Sequence, residues 1–193
     1  MTTNLYLARH GETQWNKVQR FQGQLDSELT ETGKQQSKAL AMHLADQEIN
    51  LIVSSSLGRA VSSAKLCQQQ LNAPLCISDK LIERDLGHWQ GQYVDDIKSD
   101  KSYHEILHQF TALPPEDGES AVNCASRIYQ ALETLAKNNI NKNLLVIFHG
   151  EALRCFLAKL GHSATGNAYQ LFKNGCLFPL SYQHDNQRFQ LLG

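Results

Sequence analysis

The sequence predicts an α/β fold built on a mostly parallel sheet, and three observations carry that expectation. Strand and helix signals alternate along most of the chain, the pattern of successive βαβ units. The most apolar run, Asn143 to His149, reads as a strand at the centre of a sheet, covered on both faces. The first strand and this central strand both end in a histidine, His10 and His149. In open α/β sheets the carboxyl ends of the strands are where ligands bind.

Leu5 to Ala8 is the first strand, and it runs into Arg9-His10-Gly11. Thr30 is a plausible N-cap for a helix reaching to about Gln47, with Leu40 and Leu44 on one face. Leu51 to Ser54 forms the second strand. In the helix that follows, Ala60, Ala64, Cys67 and Leu71 share a stripe, which leaves Arg59 at the helix start. Leu75 to Ser78 is a third strand, followed by a loop holding Glu83. From Tyr93 to Pro115 the pattern is poorer, with short helical pieces and a break at Pro114-Pro115. A long helix begins at Ser120 and buries Ala125, Ile128, Leu132 and Leu135. After the central strand a helix from about Glu151 to Leu160 stops at Gly161 in C-cap fashion. Cys176 to Tyr182 and Arg188 to Leu192 flank Asp185-Asn186 and pair as a hairpin.

Composition bounds the function. A chain of 193 residues without linker, repeat or low-complexity tract is expected to be one domain, residues 1–193, with a full core. A hydrophobic fraction of 41% suits an ordinary globule, and the longest apolar run, Leu144 to Phe148, is too short to cross a bilayer. No basic segment leads into an apolar one at the N-terminus, so a secretory signal is not expected and the cytoplasm is the expected location. The formal net charge of -1 argues against a nucleic-acid surface, so any anion site must be a local cluster of cations. The five cysteines form no CxxC pair and read as small, mostly buried hydrophobes in reduced form.

Arg9-His10-Gly11-Glu12-Thr13 followed by Asn16 resembles the signature of the histidine phosphatase superfamily, the phosphoglycerate mutase-like enzymes. The similarity continues through Gln22-Gly23, Asp26, Leu29-Thr30 and Gly33, and returns at Ser54 to Ala60 around Arg59. It extends to Glu83 in Leu81 to Gly91, to Gly118-Glu119-Ser120, and to Val146 to Gly150 around His149. The motifs run in the family's order from the first strand to the last element. This resemblance implies a three-layer α/β/α arrangement and hydrolysis of a small phosphorylated substrate without cofactor or metal. It implies His10 as nucleophile, Arg9, Arg59 and His149 around the transferring phosphoryl group, and Glu83 as proton donor. Asn16, Gln22, Gly23 and Gly150 are expected to line the phosphate side, Gly23 through its backbone N–H, and Arg84 to contact substrate.

The chemistry suits these residue types. A neutral imidazole attacks phosphorus when its other ring nitrogen is held by a hydrogen bond, and two guanidiniums match the charge of the transferring oxygens. Protonated His149 would add a donor, while a partly desolvated Glu83 would keep its proton. Two positions depart from the pattern: Phe148 where relatives carry a small hydroxyl residue, and Glu151 where a small residue is usual. Both are expected to reshape the pocket.

Two alternatives stand beside this reading. The same site could pass its phosphoryl group to a second hydroxyl, as a phosphoglycerate mutase does. The stretch from Gly91 to Ser126 holds only Lys98 and Lys101 as cations, which favours a phosphatase, whereas Arg84 is shared with mutases. His104-Glu105-Ile106-Leu107-His108 matches the HExxH pattern of zinc peptidases but lacks the Gly-x-x-His continuation that would supply a third ligand. His88 and Trp89, close to Glu83, are further candidates for substrate contact. An α-ribazole phosphatase-like role is one option. The sequence leaves the substrate and the oligomeric state open.

Overall fold

In the computed structural model, which describes residues 1–162, 166 and 168–192, six strands form one sheet. They are β1 (Thr2–Arg9), β2 (Leu51–Ser55), β3 (Leu75–Ser78), β4 (Asn143–Phe148), β5 (Leu177–Gln183) and β6 (Arg188–Leu191), in the order β3-β2-β4-β1-β5-β6. β1 to β4 pair in parallel, while β5 runs antiparallel to β1 and β6 to β5. The helices are α1 (Gln14–Lys17), α2 (Glu31–His43), α3 (Gly58–Leu71), α4 (Val94–Ile97), α5 (Tyr103–His108), α6 (Ala121–Lys137), α7 (Gly150–Lys159) and α8 (Ala168–Leu171).

Side chains alternate across a strand, so each central strand feeds two cores. Leu5 and Leu7 of β1, with Leu144, Val146 and Phe148 of β4, pack against α6 and α7. Tyr6, Ala8, Leu145 and Ile147 point the other way, against α2 and α3. Helices on both faces leave no wet side for the sheet, which is why β4 after Asn143 and the Leu5 to Ala8 stretch of β1 are apolar. The expected three-layer α/β/α arrangement is present. A third, smaller cluster of Phe21, Leu86, Trp89, Tyr103, Ile106 and Leu107 gathers the irregular stretch after Glu83.

Several boundaries differ from expectation. The helix capped by Thr30, whose hydroxyl accepts the Gly33 N–H at 3.0 Å, ends at His43 rather than near Gln47. Leu44 donates to both Leu40 O and Ala41 O, the chain tightens into a separate 3₁₀ turn, and Gln47 accepts the Tyr6 hydroxyl at 2.7 Å. Leu135 is half-buried at the rim of its core rather than inside it. Cys67, Cys124 and Cys155 are buried, but Cys76 lies exposed on edge strand β3. No helix among the described residues is long and apolar enough to cross a membrane.

Candidate active site

Parallel pairing brings the carboxyl ends of β1, β4 and β2 side by side, and each delivers a polar residue to the same edge. Arg9 pairs with Phe148 in register, so His10 and His149 leave adjacent strands together. Their ring centroids lie 5.3 Å apart. The turn after His10 is tight: a Cβ on Gly11 would stand 2.2 Å from Gly33 O, so only glycine lets this backbone pass over α2. The Gly11 N–H donates to Ser63 Oγ at 3.0 Å, and Asn174 Nδ2 donates to His10 O at 3.1 Å.

The histidine tautomer follows from its neighbours. His10 Nδ1 lies 2.7 Å from Gly11 O, which only accepts, so Nδ1 carries the proton. Nε2 therefore holds the lone pair, and Arg59 Nε donates to it at 3.2 Å. Burial, then the Arg59 charge, then Arg9, push the His10 pKa well below its ordinary 6.5, against the pull of Gly11. His149 is driven down in the same way, by burial and then by Arg59 and His10. The resting site thus holds two neutral imidazoles, and the protonated His149 anticipated above is not its resting form. Ser55 Oγ at the end of β2 sits 2.7 Å from His149 Nε2 and fixes that ring.

Arg59 enters from the first turn of α3 and is buried. Its guanidinium donates to Gly23 O and Leu25 O, both at 2.7 Å, and pairs with Asp26 at 3.1 Å. Arg9 donates to Phe172 O. Asn16 closes a capping box with Thr13, and its Oδ1 accepts from Thr13 N and Asn174 Nδ2. Asn16 Nδ2 is buried with no partner among the described residues, a donor awaiting an acceptor.

Glu83 is the acid end of the cluster. Its Oε1 accepts from Arg84 N and Ala152 N, each at 2.8 Å, and its Oε2 accepts from Glu151 N at 3.1 Å. The last two donors are free N–H groups of the first turn of α7, a natural seat for a carboxyl group. Three of roughly four acceptor positions are filled, and the fourth, on Oε2, is where a proton fits. Burial and then the negative charge of Glu151 push the Glu83 pKa up, against the backbone donors and Arg59.

Arg9, His10, Asn16, Gln22, Gly23, Arg59, Glu83 and Gly150 surround one small pocket of about 20 Å³. A polar cleft of about 540 Å³ adjoins it through Arg9 and Asn16, with Lys98, Tyr103, Lys173 and Asn174 in its wall. Arg84 is not with them. It is fully buried and donates to Glu119 O, Ile106 O and Glu151. Trp89 is a core residue stacked near Phe21 and Tyr103, and His88 is a surface residue near Glu116. His104 and His108 stack at 4.7 Å on α5, but no third metal-ligating residue joins them among the described residues. The sequence reading assigned no role to Ser55, Asp26 or Asn174, which orient His149, Arg59 and Asn16. Ser55 and Asp26 lie inside the motifs quoted above, so position supplied a signal and only partner geometry was missing.

The family profile for the histidine phosphatase superfamily (branch 1) matches residues 5–193. The chain belongs to this superfamily. It is an enzyme of the phosphatase type. It is 32% identical over 160 residues to phosphoserine phosphatase 1 of Hydrogenobacter thermophilus, spanning 81% of this chain and 75% of that protein. It is 31% identical over 183 residues to a protein of Photorhabdus laumondii named "Probable phosphoglycerate mutase", spanning 93% and 85%. Among solved structures, mycobacterial glucosyl-3-phosphoglycerate phosphatase complexed with VO3 superposes with a TM-score of 0.85 at 29% identity, covering 97% of this chain and 96% of that one.

Proposed function

We propose that this superfamily member hydrolyses small phosphomonoesters, without a divalent cation, through a phosphohistidine on His10 with Glu83 as proton donor. The observation that carries the reading is the pair of opposed shifts in one pocket: an imidazole kept neutral with its Nε2 lone pair inward, and a carboxyl group whose hold on its proton is strengthened by burial and by Glu151. At ordinary values of 6.5 and 4.5 the pair would be jointly reactive in only about 1% of molecules at best. The shifts found here run in the directions that reverse this shortage, as expected when neighbouring groups take acid and base roles.

Nε2 attacks phosphorus, the bond from phosphorus to the ester oxygen breaks, and Glu83 gives its proton to that oxygen. Arg9, Arg59 and the free Asn16 Nδ2 meet the non-bridging oxygens, with His149, Gln22 and the Gly23 and Gly150 backbone around them. Once phosphate arrives, its negative charge favours a proton on His149. Water then attacks the phosphohistidine as Glu83 takes a proton back, which frees phosphate and restores Nε2.

The adjoining cleft holds the leaving group, and its lysines and amides suit a small polar molecule. Arg84 lines neither cavity, and its Nε and Nη1 are held inside the protein by two carbonyl groups and Glu151, so it does not present a cation to a substrate carboxylate, which favours hydrolysis over mutase chemistry. A panel of phosphomonoesters tests this, beginning with phosphoserine and phosphoglycerates because relatives are named for them. The expected result is phosphate release from at least one polar alkyl phosphate. Isomerisation of phosphoglycerate without phosphate release would overturn the hydrolytic reading.

A further inference from the structure

Glu151 is a buried carboxylate that the mechanism above does not use. It stands on α7, directly beyond the His149-Gly150 turn, where the superfamily pattern described above has a small residue. Its backbone N–H supports Glu83 Oε2 at 3.1 Å, while its side chain turns to a built cage. Arg154 grips it with two parallel bonds of 3.0 Å, Nε to Oε1 and Nη2 to Oε2. Arg84 adds a bond of 3.2 Å to Oε2, and the Ala168 N–H one of 3.2 Å to Oε1. Both arginines are fully buried, and each is anchored beyond Glu151, Arg84 on Ile106 O and Arg154 on Gln109 O.

We propose that Glu151, held as a fixed negative charge by Arg84 and Arg154, is a positioning residue that keeps the proton on Glu83. This rests on the acid role proposed for Glu83. Two effects act in the same sense. A buried like charge beside a carboxyl group disfavours its ionisation. The same charge also neutralises two guanidiniums that would otherwise draw the proton off Glu83. Burial opposes the charge on Glu151, but Arg154 and then Arg84 outweigh it and hold its pKa below the ordinary glutamate value. One carboxyl group of the pair stays ionised so that the other does not. Among the described residues, Arg59 on α3 and Arg127 on α6 also act on Glu83, and Arg127 is itself paired with Glu119 at 2.8 Å. His10 and His149 are neutral and add nothing to the resting balance.

The test is the pH dependence of the phosphorylation burst, measured with an alkyl phosphate and with p-nitrophenyl phosphate. In Glu151→Gln the basic limb for the alkyl phosphate moves to lower pH, and each unit of movement lowers the rate above the limb about tenfold. The limb for p-nitrophenyl phosphate barely moves, because nitrophenolate leaves without a proton. Glu151→Asp, which keeps the charge, restores most of the limb. Should Glu151→Gln fail to fold with two buried guanidiniums unpaired, Glu151→Leu combined with Arg154→Met removes one charge of each sign and leaves Arg84 alone uncompensated on its two carbonyl groups, a smaller burden under which the alkyl limb still moves to lower pH. A folded variant of either kind whose rate falls while the alkyl limb stays in place overturns the proposal and leaves Glu151 a purely structural residue. Absence of leaving-group discrimination in Glu83→Gln would instead remove the acid role itself, and this inference with it.

Discussion

Replacing Glu83 by glutamine separates its two jobs, seat for backbone donors and source of a proton. The side chain keeps its length, so the amide oxygen can take the Oε1 position and accept from Arg84 N and Ala152 N. The amide NH2 then faces the Glu151 N–H, which loses its acceptor. One orphaned buried donor costs about 1–3 kcal/mol. For a chain of this size that lowers the melting temperature by roughly 2–12 °C. Loss of general acid help costs on the order of 10²–10⁴ in rate, about 3–5 kcal/mol of barrier. The two effects are read independently, one by thermal unfolding and the other by rapid-quench measurement of the phosphorylation burst. The burst is required because dephosphorylation also uses Glu83. An alkyl phosphate should lose the full factor and p-nitrophenyl phosphate far less. Equal burst losses for both leaving groups would refute the acid role. Other nearby carboxylates are already engaged, Glu151 by Arg154 and Arg84, Glu119 by Arg127 and Asp85 by the Gly87 N–H, so the acid would then have to come from elsewhere.

Arg59→Ala should slow all substrates alike, by on the order of 10²–10³, because the guanidinium meets the transferring group whatever leaves; a loss confined to one leaving group would contradict this. Activity should persist in excess chelator and fall with vanadate; loss in chelator restored by magnesium or zinc would remove the cation-free mechanism. The phosphorylation rate should hold at acid pH below the ordinary histidine value, because His10 must be neutral and its pKa lies well below 6.5. It should fall on the basic side only above the ordinary glutamate value of 4.5, as Glu83 loses its proton; an acid limb at 6.5 would place His10 in solvent-like surroundings.

The site was legible where chain direction alone decides it. Two apolar strands that each end in a histidine must present both rings at one sheet edge once they pair in parallel, and Arg59 at a helix start points to the same place. What stayed hidden was burial and partner choice. Arg84 follows Glu83 and looked like a substrate contact, yet a side chain next in sequence projects elsewhere, here into Glu151. Glu151 and Arg154 stand three residues apart on α7, a spacing that on an exposed helix would be an ordinary surface pair. Nothing in the sequence marked that turn as buried. Trp89 was drawn toward the site by its nearness to Glu83, whereas its area is worth more inside the small core with Phe21 and Tyr103. The end of α2 was missed because Leu44 to Gln47 keeps a helical composition while its hydrogen bonds tighten.

The central claim is a covalent bond between phosphorus and His10 Nε2. Brief incubation with a substrate labelled in its phosphoryl group, followed by denaturing quench, captures that bond. The label should survive alkali, be lost in acid, map to the peptide containing His10, and be absent from a folded His10→Ala variant that no longer turns over. A label that survives acid but not alkali, or turnover retained in His10→Ala, would contradict the account.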